Sequence, residues 1–376
     1  MPPPPPTLPD ELLEEIFLRL PPNEPACLVR ASLASKLWLS LLSGTSFNSR
    51  YRQFHDAPPM LGFVYSRPPF SGSVVPSFVP TTKFGAHSNP DRTSDVLDCR
   101  HGRVLLLDTG VAPMELVVWD PMTGRRARRG LCVPEGYRCN GYVATVLCAV
   151  AGCDHRACHE GPFRIVLLRV DMSHGGCVAS AFVSSAEMGE WSDKCSRVDL
   201  ETQYAVIEPR PPVLVDGALY FMLWYNWDIL KILKYDLDSN CLSLLDASMV
   251  GVSTGSAAIL TAMEDGSLGV AHQEGLTLNL WSGTIGSDGA ATWTQSRVIN
   301  LKDVLPIQNP KQTLRLIGSV EGRDILFVIM DLGIYEINLK PLRCKKIWKR
   351  ERLCAFIPYM SFYDPRERIR PSDAAY

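Results

Sequence analysis

One short pattern recurs along most of this chain and limits the folds that it can adopt. A glycine is followed, after one or two residues, by a run of β-branched and large apolar residues, and in four of the five copies an acidic residue precedes it. Successive copies lie 49 to 59 residues apart, at Gly102, Gly161, Gly217, Gly266 and Gly322. A fixed period of this length is typical of repeated units that bury their apolar surface against one another. The chain after about residue 57 is therefore predicted to be all-β and repetitive.

The spacing of aromatic residues indicates which repeat architecture is present. In four units an aromatic residue follows the glycine by 13 to 18 positions, inside a further apolar run, at Trp119, Tyr235, Trp281 and Tyr335. Strand, turn, strand units of about 50 residues are typical of β-propeller blades, close to the kelch period. The sequence predicts about six blades if residues 57–97 also contribute strands. A non-repeating β-sandwich array whose turns happen to use Asp-Gly is the alternative.

The first fifty residues have a different, helical period. Apolar residues recur at helical spacing between positions 10 and 20, acidic residues occupy the opposite face, and Pro21 and Pro22 end the pattern. Two shorter helices are predicted over about 24–33 and 35–42. Three helices of this size bury little apolar surface by themselves. We therefore expect the unit to pack against the rest of the chain or against another protein.

The same N-terminal residues resemble a known family. Leu8-Pro9, the helix that ends in Leu20-Pro21, and Lys36-Leu37-Trp38 occur at the spacing of an F-box. Leu33 stands where many members have valine, and Leu39 follows the tryptophan where arginine is common; neither change buries a charge. F-boxes bind the Skp adaptor of cullin-RING ubiquitin ligases. The resemblance therefore implies an adaptor-binding ridge formed by Leu8, Pro9, Leu12, Ile16, Leu20 and Pro21, with the adaptor-binding residues Leu28, Val29 and Trp38 packing behind or beside it.

A second resemblance extends over the β region. Val118-Trp119-Asp120-Pro121-Met122-Thr123 is similar to the Trp-Asn-Pro-x-Thr segment of plant F-box-associated propellers, with Asp120 in place of asparagine. The run at 357–363 resembles their closing strand. The predicted fold class is α+β and multidomain, a small three-helix F-box followed by an all-β propeller. The predicted parts are a proline-rich lead (1–6), the F-box (7–50), an extended linker and possible first blade (51–97), a propeller-like substrate-recognition domain (98–365) and a C-terminal tail (366–376).

A cluster of cysteine and histidine residues is the sharpest chemical signal in the chain. Cys148, Cys153, His155, Cys158 and His159 lie within twelve residues, and thiols with imidazoles are the ligands of tetrahedral zinc. Cys148, however, ends an apolar run that is expected to face the core, and no second paired set follows. The sequence therefore favours a loop with free thiols and no cofactor. Cys153, His155, Cys158 and His159 are the weak metal candidates.

Other motifs have simpler interpretations. The basic runs at 125–129 and 345–350 are predicted to be solvated hairpin ends, although a phosphorylated partner or a nuclear signal is an alternative. The run that begins at Asp236 starts like a calcium loop but has Cys241 and Ala247 where that loop needs glycine and glutamate, so a turn is predicted. We find no serine elbow, phosphate loop, dinucleotide fingerprint or zinc-protease motif, and predict a protein without catalysis of its own.

The net charge and the cysteine content indicate which classes of partner and which cell compartment to expect. The formal net charge is −2, which gives the whole chain no field that would attract nucleic acid or anionic lipid. The sequence has no run of about 18 apolar residues, the length that a membrane-spanning helix needs, and no secretory signal is found. Its 12 cysteines occur without a glycosylation sequon, which favours a reducing compartment, the cytoplasm or nucleus.

The resemblance implies a substrate-recognition subunit of an SCF-type (Skp-cullin-F-box) ubiquitin ligase. Its expected partners are a Skp-type adaptor, through it a cullin, and an unidentified target protein whose binding residues the sequence does not indicate. The alternative is a propeller scaffold or ligand-binding protein that does not engage an adaptor. A third class, a zinc-dependent nucleic-acid binder, would require the cysteine cluster and the arginine run to act together.

Overall fold

The computed structural model contains a helical unit followed by a ring of β-sheets. It describes residues 8–55, 57–67, 75–86, 94–111, 113–130, 139–153, 155, 158, 161–173, 175–184, 190–192, 196–252, 257–286, 289–309, 314–350, 353 and 355–364. Among these residues, no helix has the length and apolar character needed to cross a membrane.

The helical unit has four helices in the described part of the chain, one more than predicted. They are α1 (Asp10–Leu18), α2 (Pro25–Ala34), α3 (Lys36–Leu42) and α4 (Thr45–His55). Helix α2 begins with proline at its first position, where no amide hydrogen is needed, and the Ser35 side chain caps α3 by accepting from the Trp38 amide at 3.1 Å. Helix α4 is polar in composition, so only Phe47 and Tyr51, one turn apart and buried, mark it as amphipathic.

The sheets form a six-bladed propeller, which confirms the predicted fold class. Blades 1 and 2 each have four strands: β3 (Ser94–Arg100), β4 (Arg103–Asp108), β5 (Glu115–Trp119) and β6 (Arg126–Gly130), then β7 (Cys139–Cys148), β8 (Phe163–Ser173), β9 (Gly176–Val183) and β10 (Ser196–Asp199). Blade 3 has a divided inner strand and consists of β11 (Ala205–Ile207), β12 (Val213–Val215), β13 (Ala218–Tyr225), β14 (Ile229–Asp236) and β15 (Cys241–Asp246).

The other three blades complete the ring. Blade 4 contains β16 (Ala257–Ala262), β17 (Leu268–Glu274), β18 (Thr277–Ile285) and β19 (Ala291–Asn300). Blade 5 contains β20 (Arg315–Val320), β21 (Ile325–Met330), β22 (Gly333–Asn338) and β23 (Arg343–Trp348). Blade 6 joins the two ends of the propeller, because β24 (Ala355–Met360) pairs with β1 (Met60–Arg67), which pairs with β2 (Val75–Pro80). The segment 51–97 therefore holds the end of α4, two strands of blade 6 and most of β3.

The repeated glycines lie at equivalent turns. Gly102, Gly217, Gly266 and Gly322 each follow the inner strand of a blade with φ between +65° and +82°, a conformation that costs glycine little. Gly161 lies in the corresponding connection of blade 2. The repeated aromatic residues are all in the third strands of their blades. The period in the sequence is thus the period of the blades.

Two turns that sequence motifs mark also have a clear basis. The Asp120 carboxylate accepts from the Met122 amide at 2.8 Å and from the Thr123 hydroxyl at 2.9 Å, which explains the Asp-Pro-x-Thr motif after β5. The Asp236 carboxylate accepts from the Ser239 amide at 2.9 Å, and such hydrogen bonds lower the pKa of Asp236. The calcium-like run is accordingly the tight turn between β14 and β15.

Apolar cores lie between neighbouring blades all around the ring, and the helical unit adds a further core. Strand β1 contributes to two of them, since Leu61 packs toward blade 1 and Phe63 toward blade 5. The helical core includes Phe362, which follows β24, and Val29 of α2 packs against the core between blades 6 and 1. The helical unit is thereby fixed to the blade that closes the ring.

The closing blade gives a first testable prediction. A methyl group on Gly62 would lie 2.5 Å from Cζ of Phe78 and 2.6 Å from the Val79 carbonyl oxygen. Gly62→Ala is expected to lower the free energy of unfolding by about 2 kcal/mol or more, because β1 must move away from β2 to admit the methyl group. Chemical denaturation of the full chain measures this change. Gly85→Ala, where the added methyl group meets nothing within 4 Å, is the control; equal midpoints for both variants would contradict the prediction.

Candidate functional site

Helix α1 has apolar residues on two faces, and the chain covers only one of them. Leu13, Phe17 and Leu18 are buried in the helical core. Leu8, which precedes the helix, and Leu12 and Ile16 on its other face are 52%, 51% and 50% exposed. We call these three residues the α1 ridge. A second apolar face of this kind is expected on a helix that packs against another polypeptide.

The other residues predicted to contact an adaptor occupy different environments. Pro9 and Pro21 are exposed, whereas Leu20 and Trp38 pack partly against the helical core. The Trp38 ring meets Phe17 edge to face, with centroids 5.0 Å apart.

Leu28 and Val29, which were expected behind or beside the ridge, both pack within the protein. Leu28 is 2% exposed within the helical core, and Val29 packs against the propeller. Both side chains therefore pack against the protein's own cores, and their part in adaptor binding stays a prediction. Sequence spacing could not separate these roles, because inward and outward apolar residues on α2 alternate at the same helical period.

Leu33 and Leu37 were not predicted to belong to a binding surface, although the structure leaves both uncovered. Leu33 at the end of α2 is 78% exposed, and Leu37 in the first turn of α3 is 47% exposed. They lie four residues apart on either side of the Ser35 cap. The only available signal was that an undersized helical unit carried more leucines than its own core could bury.

Polar contacts hold α1 firmly in place. Arg50 of α4 pairs with the carboxylates of both Glu14 and Glu15. The Tyr51 hydroxyl donates to the Leu20 carbonyl oxygen at 2.7 Å. These contacts join α4 to α1 along the flank of the ridge. The ridge is therefore presented by a preformed helix, which reduces the entropy lost on binding.

The second notable feature is a cavity of about 540 Å³ at the axis of the propeller. Its wall is formed mainly by the inner strands of the blades and the turns that follow them, together with Ala57 and Pro58. Arg100 and Asp98 face it almost wholly buried, with 5% and 2% of their side chains exposed.

The charges around this cavity neutralise one another. Arg100 pairs with Asp98 at 3.5 Å and with Glu321, and it donates to the Pro212 carbonyl oxygen at 2.8 Å. Burial disfavours the charged guanidinium, but Glu321 and Asp98 outweigh it and raise the pKa of Arg100. Asp98 also accepts from the Thr145 hydroxyl of blade 2. This network joins blades 1, 2, 3 and 5, so its charges serve the ring rather than a ligand.

The cysteine and histidine cluster lies at the edge of the same cavity. Cys148 ends β7, and Cys153, His155 and Cys158 lie in the connection to β8. Cys148 is buried, as predicted from its apolar run, yet its sulfur is near the other three ligand atoms. His159 lies outside the described residues. Burial and the neighbouring Cys148 raise the pKa of Cys158.

His101 lies directly against this cluster. Its ring stacks on that of His155, with centroids 4.3 Å apart. Burial, with a smaller contribution from Arg100, lowers the pKa of His101 to about 3, so its ring is neutral at neutral pH.

Both basic runs lie on outermost strands, β6 and β23 with the residues that follow it. Arg128 contacts Asp108 at 3.0 Å and Glu115 at 3.1 Å, and Arg350 contacts Asp331 at 2.6 Å. Part of each run is therefore neutralised by neighbouring carboxylates, which agrees with a solvated structural role.

Two family models match the chain. Residues 6–50 match the F-box domain. Residues 95–366 match a model described as "F-box protein AT5G49610-like, beta-propeller", and this match covers more than half of the chain. No curated protein matches.

Solved structures with a similar arrangement are distant in sequence. TolB from Acinetobacter baumannii is 11% identical, with 87% of this chain and 73% of that chain covered and a TM-score of 0.41. The WD40 domain of SCAP from fission yeast is 12% identical, with coverage of 73% and 57% and a TM-score of 0.36. The Aleuria aurantia lectin is 13% identical, with coverage of 81% and 97% and a TM-score of 0.38. Likeness at this level does not bear on what the chain binds.

Proposed function

Because the chain belongs to the F-box proteins whose second domain is an AT5G49610-like β-propeller, we propose that it is the substrate-recognition subunit of an SCF-type ubiquitin ligase. The F-box would bind a Skp-type adaptor and, through it, a cullin. The propeller would bind the target protein. We place this activity in the cytoplasm or the nucleus.

The observation that carries the proposal is the uncovered α1 ridge. Leu8, Leu12 and Ile16 keep about half of their surface exposed, although the propeller docks against the opposite side of the same helical unit through Phe362 and Val29. A helical unit that served only as a cap on the propeller would gain stability by turning this face inward. The ridge is instead available to a helical partner, as adaptor binding requires.

The proposed mechanism is proximity and needs no catalytic residue in this chain. A target held on the propeller lies close to the ubiquitin carrier that the cullin recruits, which raises the effective concentration of its lysines. A rigid connection between the two binding surfaces makes this geometry reproducible. Here the connection includes the packing of Tyr51 against Phe362, with ring centroids 6.3 Å apart, and the contact of Arg52 with Asp364 at 3.8 Å.

Binding between the purified full chain and a Skp-type adaptor tests the proposal. We expect a one-to-one complex with a Kd below about 1 μM, corresponding to at least about 8 kcal/mol of binding free energy. Addition of cullin, RING subunit and ubiquitin carrier should then ubiquitylate proteins bound to the propeller. Failure to bind any Skp-type adaptor would favour the alternative, a propeller scaffold that does not engage a ligase.

A further inference from the structure

Four potential metal ligands converge beside the cavity, independently of the proposed ligase role. The Sγ atoms of Cys148, Cys153 and Cys158 and a ring nitrogen of His155 all lie within 4.8 Å of one another. The four residues occupy only eleven positions of the chain, and they all come from the end of β7 and its connection to β8. From the sequence, Cys148 was predicted to belong to a core strand. In the structure it is the last residue of β7, and its sulfur lies near the ligand atoms of the loop that follows.

We propose that these four residues form a structural zinc site. Tetrahedral zinc binds sulfur at about 2.3 Å and histidine nitrogen at about 2.0 Å, so its ligand atoms lie about 3.5 to 3.8 Å apart. The His155 Nδ1 to Cys158 Sγ distance is 3.8 Å. Contraction of the remaining pairs by at most about 1 Å completes the tetrahedron. Three thiolates and one imidazole are soft ligands that select zinc over magnesium or calcium.

The backbone already presents the sulfur atoms in a suitable way. The Val150 amide donates to Cys148 Sγ and the His155 amide donates to Cys153 Sγ, each at 3.4 Å and each from two positions further along the chain. Hydrogen bonds of this kind orient a thiolate ligand and offset part of its charge. Gly152 and His155 both adopt left-handed backbone, with φ of +65° and +59°. For histidine this conformation is uncommon, and it recurs at functional loops.

The surrounding charge is complementary to such a site. Arg103 of β4 is 2% exposed and donates through Nη2 to the carbonyl oxygens of Cys158 and Gly161. Its Nη1 has no hydrogen-bond partner, and no carboxylate among the described residues forms an ion pair with it. Zinc with three thiolates and a neutral imidazole carries a net charge of about −1. A zinc site here would place a further negative charge beside the buried guanidinium, whose charged form the Asp120 carboxylate also favours.

Four protein ligands leave no position open for water or substrate, which is the arrangement of a structural site rather than a catalytic one. The site would fix the β7 to β8 connection against His101 and Arg103 at the wall of the cavity. Neither a nucleic-acid partner nor a catalytic role is needed to explain it.

Metal analysis of the full chain, purified under reducing conditions without chelators, tests the proposal. We expect about one zinc per chain by plasma mass spectrometry, and tetrahedral cobalt spectra with thiolate-to-metal charge transfer after exchange with Co²⁺. Removal of zinc with a chelator should make Cys153 and Cys158 reactive toward alkylating reagents. No bound metal, iron or copper in place of zinc, or a disulfide among these cysteines under reducing conditions would overturn it.

Two variants distinguish the site from adventitious binding. Cys153→Ser should lower the zinc content of the folded chain from about one to below about 0.2 per chain, because it removes one of four ligands. Cys241→Ser, at an exposed free cysteine of blade 3, should retain the full content. If Cys153→Ser does not fold, the wild-type chain is treated with a chelator instead. Its melting temperature should then fall, and the addition of zinc alone should restore it. Equal zinc content in both folded variants, or a melting temperature unchanged by chelation, would contradict the assignment.

Discussion

The double change Leu12→Glu/Ile16→Glu is expected to weaken binding to a Skp-type adaptor by at least about 100-fold, or about 2.7 kcal/mol. Each side chain keeps about half of its surface exposed in the free protein, at 51% and 50%. Covering that apolar surface contributes about 1 kcal/mol per residue, and an interface that buries an unpaired carboxylate pays a larger penalty. The affinity measured by calorimetry or surface plasmon resonance checks the effect.

A matched control separates the ridge from general surface properties. Met249 and Val298 are exposed apolar residues of the propeller, at 80% and 56%. Met249→Glu/Val298→Glu adds the same two charges to the propeller, outside the helical unit, and should bind the adaptor like the wild type. Both variants should melt near the wild-type temperature, because surface changes of this kind alter stability little. Equal adaptor affinity for the two double variants would show that the α1 ridge is not the contact.

The parts of the fold that sequence analysis predicted well are those determined by neighbouring residues. The turn glycines required left-handed backbone, so Gly102, Gly217, Gly266 and Gly322 marked the blades in the sequence. Helix α1 was recognisable because its apolar spacing and its terminal prolines are local signals. Helix α4 was missed because its only signal was the pair Phe47 and Tyr51, in a segment otherwise rich in polar residues.

Features that depend on contacts between residues far apart in the chain could not be predicted from the sequence. The pairing of β1 with β24 joins residues almost 300 positions apart, so the proline-rich segment before blade 1 gave no indication of its partner. Leu28 and Leu12 are both leucines of predicted helices, and only packing shows that one faces the core and the other solvent. The cysteine cluster was visible in the sequence, but the approach of Cys148 to the other ligands depends on the direction in which β7 ends.

The charged network around the axial cavity leads to the second large effect, on stability. Arg100→Met is expected to lower the free energy of unfolding by about 3 to 5 kcal/mol. The methionine fills much of the same volume but leaves the carboxylate of Asp98, only 2% exposed, without its positive neighbour. It also removes the donors to Glu321 and to the Pro212 carbonyl oxygen, which link blade 1 to blades 5 and 3. Urea denaturation of the full chain measures the loss.

A double-mutant cycle shows whether the loss comes from the uncompensated charge. Asp98→Asn keeps an oxygen that can accept from the Thr145 hydroxyl while removing the negative charge. Arg100→Met/Asp98→Asn should therefore be more stable than Arg100→Met alone, by about 1 to 2 kcal/mol, since contacting charges are strongly non-additive. If the two losses instead simply add, the contribution of Arg100 is packing, and the charges are not what holds the blades around the cavity.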